Sequence, residues 1–518
     1  MKLEKNLLTI KEASRWASAY LKKDVSESNI SYLMQYGKVK KHNGGHTVYV
    51  DMTDLKQYYA AHRQERVAHW KTQLGDDLNW ALSFDHLREK DTTKHVHRLH
   101  PYKGKFIPQL VEYFIEAYFK KNDILLDPFC GSGTSLVQAH EMGIHIIGID
   151  VSHFNAMISE AKLLNYDFSL LEHEIKKIKQ MLMSEKKNDR LAAFEQDLSM
   201  SITNFNNRYF PSPEFKFELQ TGNVDENNYA KIKEAEFMEK YQDITQKHAI
   251  KIDCFPGEKF LDKWYMTPVR EEIDFIFKTI KSIKEVNTKK ILAIILSRTI
   301  RSCRATTHSD LATLKQPQIT PYYCWKHKKI CKPLLSTKAW FYRYAADTVK
   351  RLKEFAKLKT DSHHAILTAD SREVDIFKEI EKKNNQFYQL LKNQKIKGIF
   401  TSPPYVGQIN YHQQHAYAYD LFGFKRCDNL EIGPLYKGQG LEARTSYVDG
   451  ITKVLQNSKK YLTEDFDVFL VANDKYNLYP SIAEQAGMAI VNQFKRPVLN
   501  RTERDKSPYS EIIFHLKK

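Results

Sequence analysis

The stretch that decides the fold is Ile124-Leu125-Leu126-Asp127-Pro128-Phe129-Cys130-Gly131-Ser132-Gly133-Thr134. Its apolar start predicts a buried strand, and the glycine turn that follows leads into a helix that ends before Gly143. A second apolar run, Ile144 to Ile149, predicts another strand, which is closed by Asp150. The order of strand, glycine turn, helix, strand and acid is typical of a nucleotide-binding βαβ unit.

The residues of this unit favour a nucleoside ligand that carries positive charge. Gly131 and Gly133 have no side chains, so the backbone can approach a ligand closely. Asp150, at the end of the second strand, can accept both hydroxyls of a ribose. The pattern lacks the third glycine of the dinucleotide fingerprint and the Gly-Lys-Ser/Thr of a phosphate loop. Because Asp127 in the loop would repel an anion, we expect a cationic or zwitterionic nucleoside.

A second motif, Thr401-Ser402-Pro403-Pro404-Tyr405, follows a short apolar run that predicts a strand ending at the carboxyl edge of the sheet. Two successive prolines fix φ and remove two backbone donors, which leaves carbonyl oxygens free. With the Ser402 hydroxyl and the Tyr405 ring beside them, the segment can accept hydrogen bonds from a flat amine and stack on its ring. A nucleobase has that shape. A proline loop that only ends a strand is the alternative.

Together, the two motifs resemble those of S-adenosylmethionine-dependent DNA methyltransferases that modify exocyclic amines, at N4 of cytosine or N6 of adenine. The resemblance covers about residues 95–165 and 360–518. It implies an α/β fold with a Rossmann-like, mostly parallel, seven-stranded methyltransferase sheet, and S-adenosylmethionine as the cofactor. In such a site the glycine loop surrounds the methionine part, and two acids lie near the ribose and the adenine. The cofactor-binding residues that the resemblance implies are Lys105, Phe106, Asp127, Phe129, Gly131, Gly133, Thr134, Asp150, Asp370 and Thr401.

The catalytic residues that the second motif implies are Ser402, Pro403, Pro404 and Tyr405. The Ser402 hydroxyl and the Pro403 carbonyl would accept the two amine hydrogens, so that the nitrogen lone pair recovers electron density. Tyr405 would stack on a base that has been flipped out of the duplex, and the methyl group would move by direct displacement. Methylation at carbon 5 of cytosine instead needs a cysteine nucleophile, in that family just after a proline. The sequence has no Pro-Cys pair.

The target base is predicted from the first residues of the same motif. Within the family, Ser or Thr before Pro-Pro-Tyr favours cytosine N4, and Asp or Asn favours adenine N6. Thr401-Ser402 therefore predicts a cytosine-N4 methyltransferase, with adenine N6 as the alternative. An RNA methyltransferase and a non-catalytic DNA-binding regulator are alternatives from other classes. Double-stranded DNA is the expected substrate, in a restriction-modification system with a cognate restriction endonuclease as a further partner.

Residues 1–65 predict a small DNA-binding unit. Thr9 precedes an amphipathic helix, Ile10 to Leu21, and Ser26 is the predicted cap of a second helix. Residues 38–50 predict two extended segments about a Gly-Gly turn. This order resembles the winged helix-turn-helix of excisionase and MerR-type domains, whose second helix enters the major groove; a helical adaptor with a solvated hairpin is the alternative. The DNA-binding residues that it implies are Ser28, Asn29, Tyr32, Lys38, Lys40 and Lys41.

Between residues 166 and 360 the sheet pattern stops, which predicts a mainly helical lobe inserted between two parts of the methyltransferase domain, 66–165 and 361–518. In the family such a lobe reads the DNA sequence. Its candidate DNA-binding residues are Arg298, Arg301 and Arg304, at the end of a predicted helix. Solvated charges that neutralise a helix end are the alternative interpretation.

The lobe also contains a Cys-x2-His-x3-Cys spacing at Cys324, His327 and Cys331, with Cys303 available as a fourth ligand. Thiolate and imidazole ligands suit zinc, but the familiar zinc spacings are two Cys pairs, or a Cys pair and a His pair. Buried cysteines and a surface histidine are the favoured interpretation, so the sequence predicts no metal site.

The composition agrees with an intracellular protein that binds nucleic acid. The 518 residues predict two to four domains, and 80 Lys and Arg against 63 Asp and Glu give a formal charge of +17, which favours a polyanionic partner. Six scattered cysteines fit a reducing cytosol. The longest aliphatic run, Ile291 to Leu296, is far shorter than the ~18 residues of a membrane span. A cytoplasmic location without membrane contact is therefore expected.

Overall fold

A computed structural model gives the fold and describes residues 6–21, 24–44, 47–75, 77–84, 87, 89–184, 189–310, 314–498 and 508–518. The strands are β1 (Leu7–Thr9), β2 (His42–Gly44), β3 (Thr47–Asp51), β4 (Ile124–Asp127), β5 (His145–Asp150), β6 (Tyr322–Cys324), β7 (Lys329–Cys331), β8 (His364–Thr368), β9 (Ile396–Thr401), β10 (Leu462–Ala472), β11 (Ala489–Pro497) and β12 (Ser510–Lys517).

The helices alternate with these strands in the methyltransferase parts and cluster between β5 and β8. They are α1 (Ile10–Leu21), α2 (Glu27–Gln35), α3 (Met52–Leu74), α4 (Glu89–Thr92), α5 (Pro108–Tyr118), α6 (Thr134–Glu141), α7 (His153–Leu163), α8 (Phe168–Ser184), α9 (Asp189–Tyr209), α10 (Glu214–Thr221), α11 (Glu226–Lys247), α12 (Phe260–Lys263), α13 (Thr267–Ser282), α14 (Val286–Ser302), α15 (Lys338–Ala356), α16 (Ile376–Lys383), α17 (Asn385–Asn393), α18 (Tyr411–Gln414), α19 (Ala416–Phe422), α20 (Leu441–Lys459) and α21 (Tyr479–Gln485). Within the described residues, none of these helices is long and apolar enough to cross a membrane.

Seven strands form the central sheet, in the order β11-β12-β10-β9-β4-β5-β8. Strand β4 pairs in parallel with β9 and β5, whereas β12 runs antiparallel to β10 and β11. Numbered along the chain from β4, the order is 6-7-5-4-1-2-3, so the winding reverses between β4 and β9. Ligands in open α/β sheets bind at such a reversal, beside the carboxyl ends of the strands. The predicted mostly parallel, seven-stranded sheet is confirmed.

Both faces of the sheet are buried, as the apolar strand sequences require. In β4, Leu125 joins the core on one face, and Ile124 and Leu126 join the core on the other. Helices α16, α17, α20 and α21 cover the second face. Helices α5, α6 and α7 cover the first, and their core is continuous with that of α8–α15. The inserted helices therefore share the core of the sheet.

The N-terminal residues form a separate small core around Ala13, Ile30 and Val50. Helix α1 has the predicted bounds, and the Ser26 side chain caps α2 by accepting a hydrogen bond from the Asn29 amide at 3.3 Å. Strands β2 and β3 flank the predicted Gly-Gly turn, of which residues 45 and 46 lie outside the described part of the chain. Strand β1 was not predicted; it pairs with β3 and completes a three-stranded sheet.

Helix α10 of the inserted region abuts the end of α2. Lys216 Nζ donates to the Gln35 carbonyl at 3.0 Å, and Gln220 Nε2 donates to the Tyr36 carbonyl at 2.8 Å. A Cβ atom on Gly37 would lie 2.8 Å from the Phe217 nitrogen, so the two backbones approach closely only because this residue is glycine. The N-terminal unit is thus anchored to the inserted helices at one place.

Gly398, in the central strand β9, offers a test of this packing. A Cβ atom there would lie 2.7 Å from Phe119 Cε1 and still closer to the Asp467 carbonyl oxygen on β10. We expect Gly398→Ala to destabilise the protein by roughly 1–3 kcal/mol or more, because the neighbouring strand cannot move aside. Thermal unfolding of Gly440→Ala, where a Cβ atom meets nothing within 4 Å, is the matched control. Equal unfolding temperatures for the two variants would contradict the observed register of β9 and β10.

Candidate active site

A cavity of about 850 Å³, which includes open space at its mouth, lies at the carboxyl ends of β4, β5, β8 and β9. Residues 127–132 line it after β4, residues 150–152 after β5, residues 369–371 after β8, and Ser402 and Pro404 after β9. This is the place where the winding of the sheet reverses, which is where open α/β sheets bind their ligands. The two sequence motifs therefore meet at one cavity.

Most of the predicted cofactor and catalytic residues reach this cavity. Those that line it are Lys105, Phe106, Asp127, Phe129, Gly131, Thr134, Asp150, Asp370, Ser402 and Pro404. The lining does not include the remaining four, which are Gly133, Thr401, Pro403 and Tyr405. The structure thus brings ten of the fourteen predicted positions onto a single surface.

Asp127 and Thr401 connect the ends of the two central strands. The Thr401 hydroxyl, which is fully buried, donates to Asp127 Oδ1 at 2.6 Å. The same carboxylate accepts from the Phe129 amide at 3.1 Å and from the Ser135 hydroxyl. Burial raises the pKa of Asp127 to about 6, and the hydrogen bonds oppose that rise. Asp127 therefore serves the structure of the cavity floor in addition to facing the cavity.

Asp150 closes β5 with its carboxylate on the cavity wall. It accepts hydrogen bonds from the Gly131 amide at 2.9 Å and the Ser152 amide at 2.8 Å, and Asn155 Nδ2 donates to both its oxygens. Burial raises its pKa to about 6. These donors hold the carboxylate in one orientation beside the glycine loop.

Gly131 and Gly133 of the loop are each constrained to glycine by backbone conformation and by a different neighbouring side chain. Both have positive φ, +50° at Gly131 and +73° at Gly133. A Cβ atom on Gly131 would lie 2.9 Å from the Tyr102 hydroxyl, and one on Gly133 would lie 2.8 Å from Ser159 Oγ. The sequence interpretation assigned both glycines to close approach of a ligand. The neighbours found at these positions belong to the protein itself, because α7 and the Tyr102 ring pack against the loop.

Tyr405 is anchored by its hydroxyl group. The hydroxyl donates to Glu511 Oε1 at 3.0 Å, and Arg496 Nη1 lies 3.7 Å from the other oxygen of that carboxylate. Asp370 is held by a neighbour too, since Arg372 Nε lies 2.9 Å from its Oδ1. Asp370 does not cap a helix, although a carboxylate just after a strand can do so. Helix α16 begins later, and Asp375 caps it.

Several wall residues were not predicted. They are Tyr102, Asn155, Tyr411, Glu431 and Ile432, among others. Glu431, which is almost fully buried, accepts from the Tyr411 amide at 3.2 Å and the His412 amide at 2.7 Å. Tyr411 and Glu431 lie between the Ser-Pro-Pro-Tyr motif and α20, in a stretch for which the sequence analysis found no motif. Tyr102 could have been predicted, because it lies three residues before Lys105, which the sequence analysis had already assigned to the cofactor pocket.

The predicted DNA-binding residues of the N-terminal unit lie on its surface to different degrees. Ser28, Asn29, Lys38 and Lys40 are exposed, and Lys41 is half-buried. The Asn29 side-chain oxygen is engaged in the helix cap, accepting from the Ser26 amide at 3.0 Å. Tyr32 is half-buried and stacks on Tyr36, with ring centroids 4.1 Å apart.

The three arginines of α14 and its end are less accessible than the sequence suggested. Arg298 is only 8% exposed, and its Nη1 lies 2.7 Å from Asp347 Oδ2. Arg304 is also 8% exposed, and its Nε donates to the Arg301 carbonyl at 3.0 Å. Arg301 is half-buried. As a correction, Arg298 and Arg304 are largely buried in the protein and expose little surface for contact with DNA.

The group of possible zinc ligands differs in one member from the group considered in the sequence analysis. Cys324, His327 and Cys331 come together, but the fourth member of the group is His308. Cys303, which the sequence suggested, is fully buried at the end of α14 and does not belong to the group.

Comparison with known proteins agrees with the methyltransferase fold. The sequence profile of a family described as DNA methylase matches residues 10–161, and that of an RMKL-like methyltransferase domain matches residues 115–210. These matches, with the sheet order, define a methyltransferase.

Three individual relatives indicate which kind of methyltransferase this is. The Type II methyltransferase M.MjaII of Methanocaldococcus jannaschii is 48% identical over 518 residues, 99% of this chain and 97% of that protein. M.MvaI of Kocuria varians is 39% identical over 103 residues, 19% of this chain and 22% of that protein. M.BsoBI of Geobacillus stearothermophilus is 26% identical over 216 residues, 38% of this chain and 42% of that protein. The chain belongs to the DNA methylase family and is a Type II DNA methyltransferase.

The family implies S-adenosylmethionine as the methyl donor, and the cavity suits it. Carboxylates of Asp127, Asp150 and Glu431 lie in the wall beside the apolar side chains of Phe129 and Ile432. Such a lining complements a ligand with a sulfonium, an ammonium and a flat base. The buried oxygen Asn155 Oδ1 also has no hydrogen-bond partner within the described residues, so a ligand donor can satisfy it.

The raised pKa of Asp150 predicts that binding of S-adenosylmethionine depends on pH. The ionised carboxylate accepts hydroxyl hydrogens, and it is lost as the pH falls below about 6. We expect the dissociation constant, measured by calorimetry, to rise by up to about tenfold per pH unit below that value.

Asp150→Asn is the matched variant for this titration. It should bind more weakly at neutral pH and show little pH dependence. If the variant keeps the full pH dependence, another group, such as Asp127, is responsible and the role given to Asp150 is wrong.

Proposed function

We propose that this methyltransferase transfers a methyl group to the N4 amine of cytosine in duplex DNA. The observation that carries the proposal is that Ser402 and Pro404 line the same cavity as Gly131 and Asp150. The proposed acceptor for the amine and the proposed nucleoside-binding loop therefore border the same space. That arrangement supports transfer between two bound groups without an enzyme nucleophile.

The cofactor-binding roles follow the positions of the wall residues. S-adenosylmethionine supplies the methyl group when it is bound. Asp150 accepts the ribose hydroxyls, and Asp370 lies at the end proposed for the adenine. Lys105, Phe106, Phe129 and Thr134 complete the wall around the methionine part. Thr401 acts indirectly, since its hydroxyl holds Asp127.

The base is held by the loop that follows β9. The Ser402 hydroxyl and the Pro403 carbonyl accept the amine hydrogens, so the nitrogen lone pair is less delocalised into the ring. The Tyr405 ring stacks on the base, while Glu511 fixes its hydroxyl. The loop lines a cavity in the protein. A base that is stacked inside the duplex cannot enter this cavity, so it must first be flipped out of the helix.

Adenine N6 is the alternative target, because an adenine amine has the same geometry as a cytosine amine. The Thr401-Ser402 start of the motif favours cytosine. The similarity to Type II methyltransferases supports a restriction-modification setting, with a cognate restriction endonuclease as the partner.

Nucleoside mass spectrometry of DNA from cells that express the protein tests the reaction and the site together. We expect N4-methylcytosine with the wild-type chain, and a loss of about 100-fold or more in Ser402→Ala, which removes one acceptor. Tyr405→Ala should lose most activity through loss of stacking. Tyr405→Phe, which keeps the ring and lacks only the bond to Glu511, is the control and should remain active.

The results of this experiment distinguish the choice of target base from the role proposed for the loop after β9. N6-methyladenine in place of N4-methylcytosine would keep the site and overturn the choice of base. Full activity of Ser402→Ala would contradict the role given to the loop.

We further propose that residues 1–65 form a winged helix-turn-helix that binds DNA, followed by methyltransferase parts 66–165 and 361–518 and the recognition lobe 166–360. The exposed positions of Ser28, Lys38 and Lys40 support this role for the N-terminal unit. Val39 between the two lysines is buried, so the lysines point away from the core as a phosphate-binding edge would.

The double variant Lys38→Ala, Lys40→Ala tests the DNA-binding role. Each phosphate contact that is lost should lower the slope of log affinity against log salt by about 1, so affinity falls most at low salt. Fluorescence anisotropy with a labelled duplex measures it. Lys453→Ala, an exposed lysine on α20 far along the chain, is the control for loss of charge alone. Equal salt slopes for the variants and the wild type would contradict the proposed wing.

A further inference from the structure

The hairpin β6–β7 carries a cluster of four potential metal ligands outside the active-site cavity. Cys324 ends β6, His327 lies in the turn and Cys331 ends β7. His308, from the segment that follows α14, completes the group. One ligand atom from each of the four residues lies within 4.8 Å of the others. The cluster therefore joins the segment that follows α14 to the β6–β7 hairpin.

The distances within the cluster fit a tetrahedral zinc ion. Cys324 Sγ lies 3.5 Å from His308 Nδ1, and Cys331 Sγ lies 3.6 Å from His327 Nδ1. Zinc bonds of about 2.3 Å to sulfur and about 2.1 Å to nitrogen, at a tetrahedral angle, separate the two ligand atoms by about 3.6 Å. Both observed pairs have this separation, although each involves a different cysteine and a different histidine.

The chemistry of the ligands also selects the metal. Two thiolates and two imidazoles form a Cys2His2 set, which suits zinc and contains no carboxylate to favour calcium or magnesium. Four protein ligands leave no open position, so the site would be structural and not catalytic. All four residues lie on the inserted region, away from the residues that line the active-site cavity.

One further polar group contacts the cluster. The Tyr322 hydroxyl lies 2.8 Å from His308 Nδ1 and accepts a hydrogen bond from the His308 amide at 3.1 Å. A metal bound at Nδ1 would replace the first of these contacts, and the second would remain. The amide contact keeps the imidazole on the hairpin side of its segment, which orients it toward the two sulfurs.

The geometry points to a structural zinc site at His308, Cys324, His327 and Cys331, which fixes the segment after α14 to the β6–β7 hairpin. The other side of the hairpin is already attached to the inserted helices. Asn206 on α9 exchanges two hydrogen bonds of 2.9 Å with the backbone of Ile330. Lys328 Nζ donates to Glu226 on α11 at 2.7 Å. The metal would therefore complete a connection from α14 through the hairpin to α9 and α11.

Metal analysis of the full-length protein tests the site. Protein purified in reducing buffer without chelator should contain about one zinc ion per chain by plasma mass spectrometry. His308→Ala and Cys331→Ser should lose it. Cys303→Ala and Cys427→Ser, which change cysteines outside the cluster, should keep it. Retention of zinc in His308→Ala together with its loss in Cys303→Ala would overturn the assignment of the fourth ligand.

Cobalt substitution tests the wild-type chain without relying on variants that fold poorly. Metal-free protein, titrated with Co²⁺, should develop the visible absorption of a tetrahedral ion and a thiolate charge-transfer band, and added Zn²⁺ should displace both. Chelator should lower the unfolding temperature of the wild type and leave that of Cys331→Ser unchanged. Wild-type protein that holds no zinc and takes up neither Zn²⁺ nor Co²⁺ when fully reduced would overturn the proposal.

Discussion

The active site depends on one buried hydrogen bond, between the Thr401 hydroxyl and the Asp127 carboxylate, 2.6 Å apart. These residues end two adjacent parallel strands, and more than half of the chain lies between them in sequence. A buried carboxylate is stable only if donors satisfy it, so Asp127 fixes where the Thr401 hydroxyl must lie. The loops that follow both residues are then held at one cavity.

The βαβ unit and the strands of the sheet were predictable because their apolar residues are continuous and their turns contain glycine or proline. The predicted strand at Ile124 and the helix that follows Thr134 appear at nearly the same bounds. The walls contributed by Tyr411 and Glu431 were not predictable. They reach the cavity through the path of the chain between β9 and α20, which leaves no periodic pattern in the sequence. The pairing of β1 with β3 was missed because a three-residue strand is too short to show alternation.

Charged residues were the least predictable part of the inserted helices. The sequence shows that Arg298 is charged, but only the structure brings Asp347 from α15 to meet it, with Tyr344 beneath the guanidinium at 4.1 Å. A paired, buried arginine and a solvated one have the same sequence signature, because the partner lies 49 residues away. The same limit affected the metal ligands, where His308 takes the place that spacing along the chain had suggested for Cys303.

The contact between α10 and the end of α2 limits how the N-terminal unit and the methyltransferase sheet can be arranged on DNA. Phe215 of α10 belongs to the large core that also covers the sheet, and Lys216, the next residue, binds the N-terminal unit. The N-terminal helices are therefore held against a helix that is itself packed into the core beside the sheet. On the proposed roles, the base pairs read by α2 and the base that is methylated would be separated by a constant number of steps along the duplex. Such a protein would measure one fixed length of DNA and would reject sites whose halves are spaced differently.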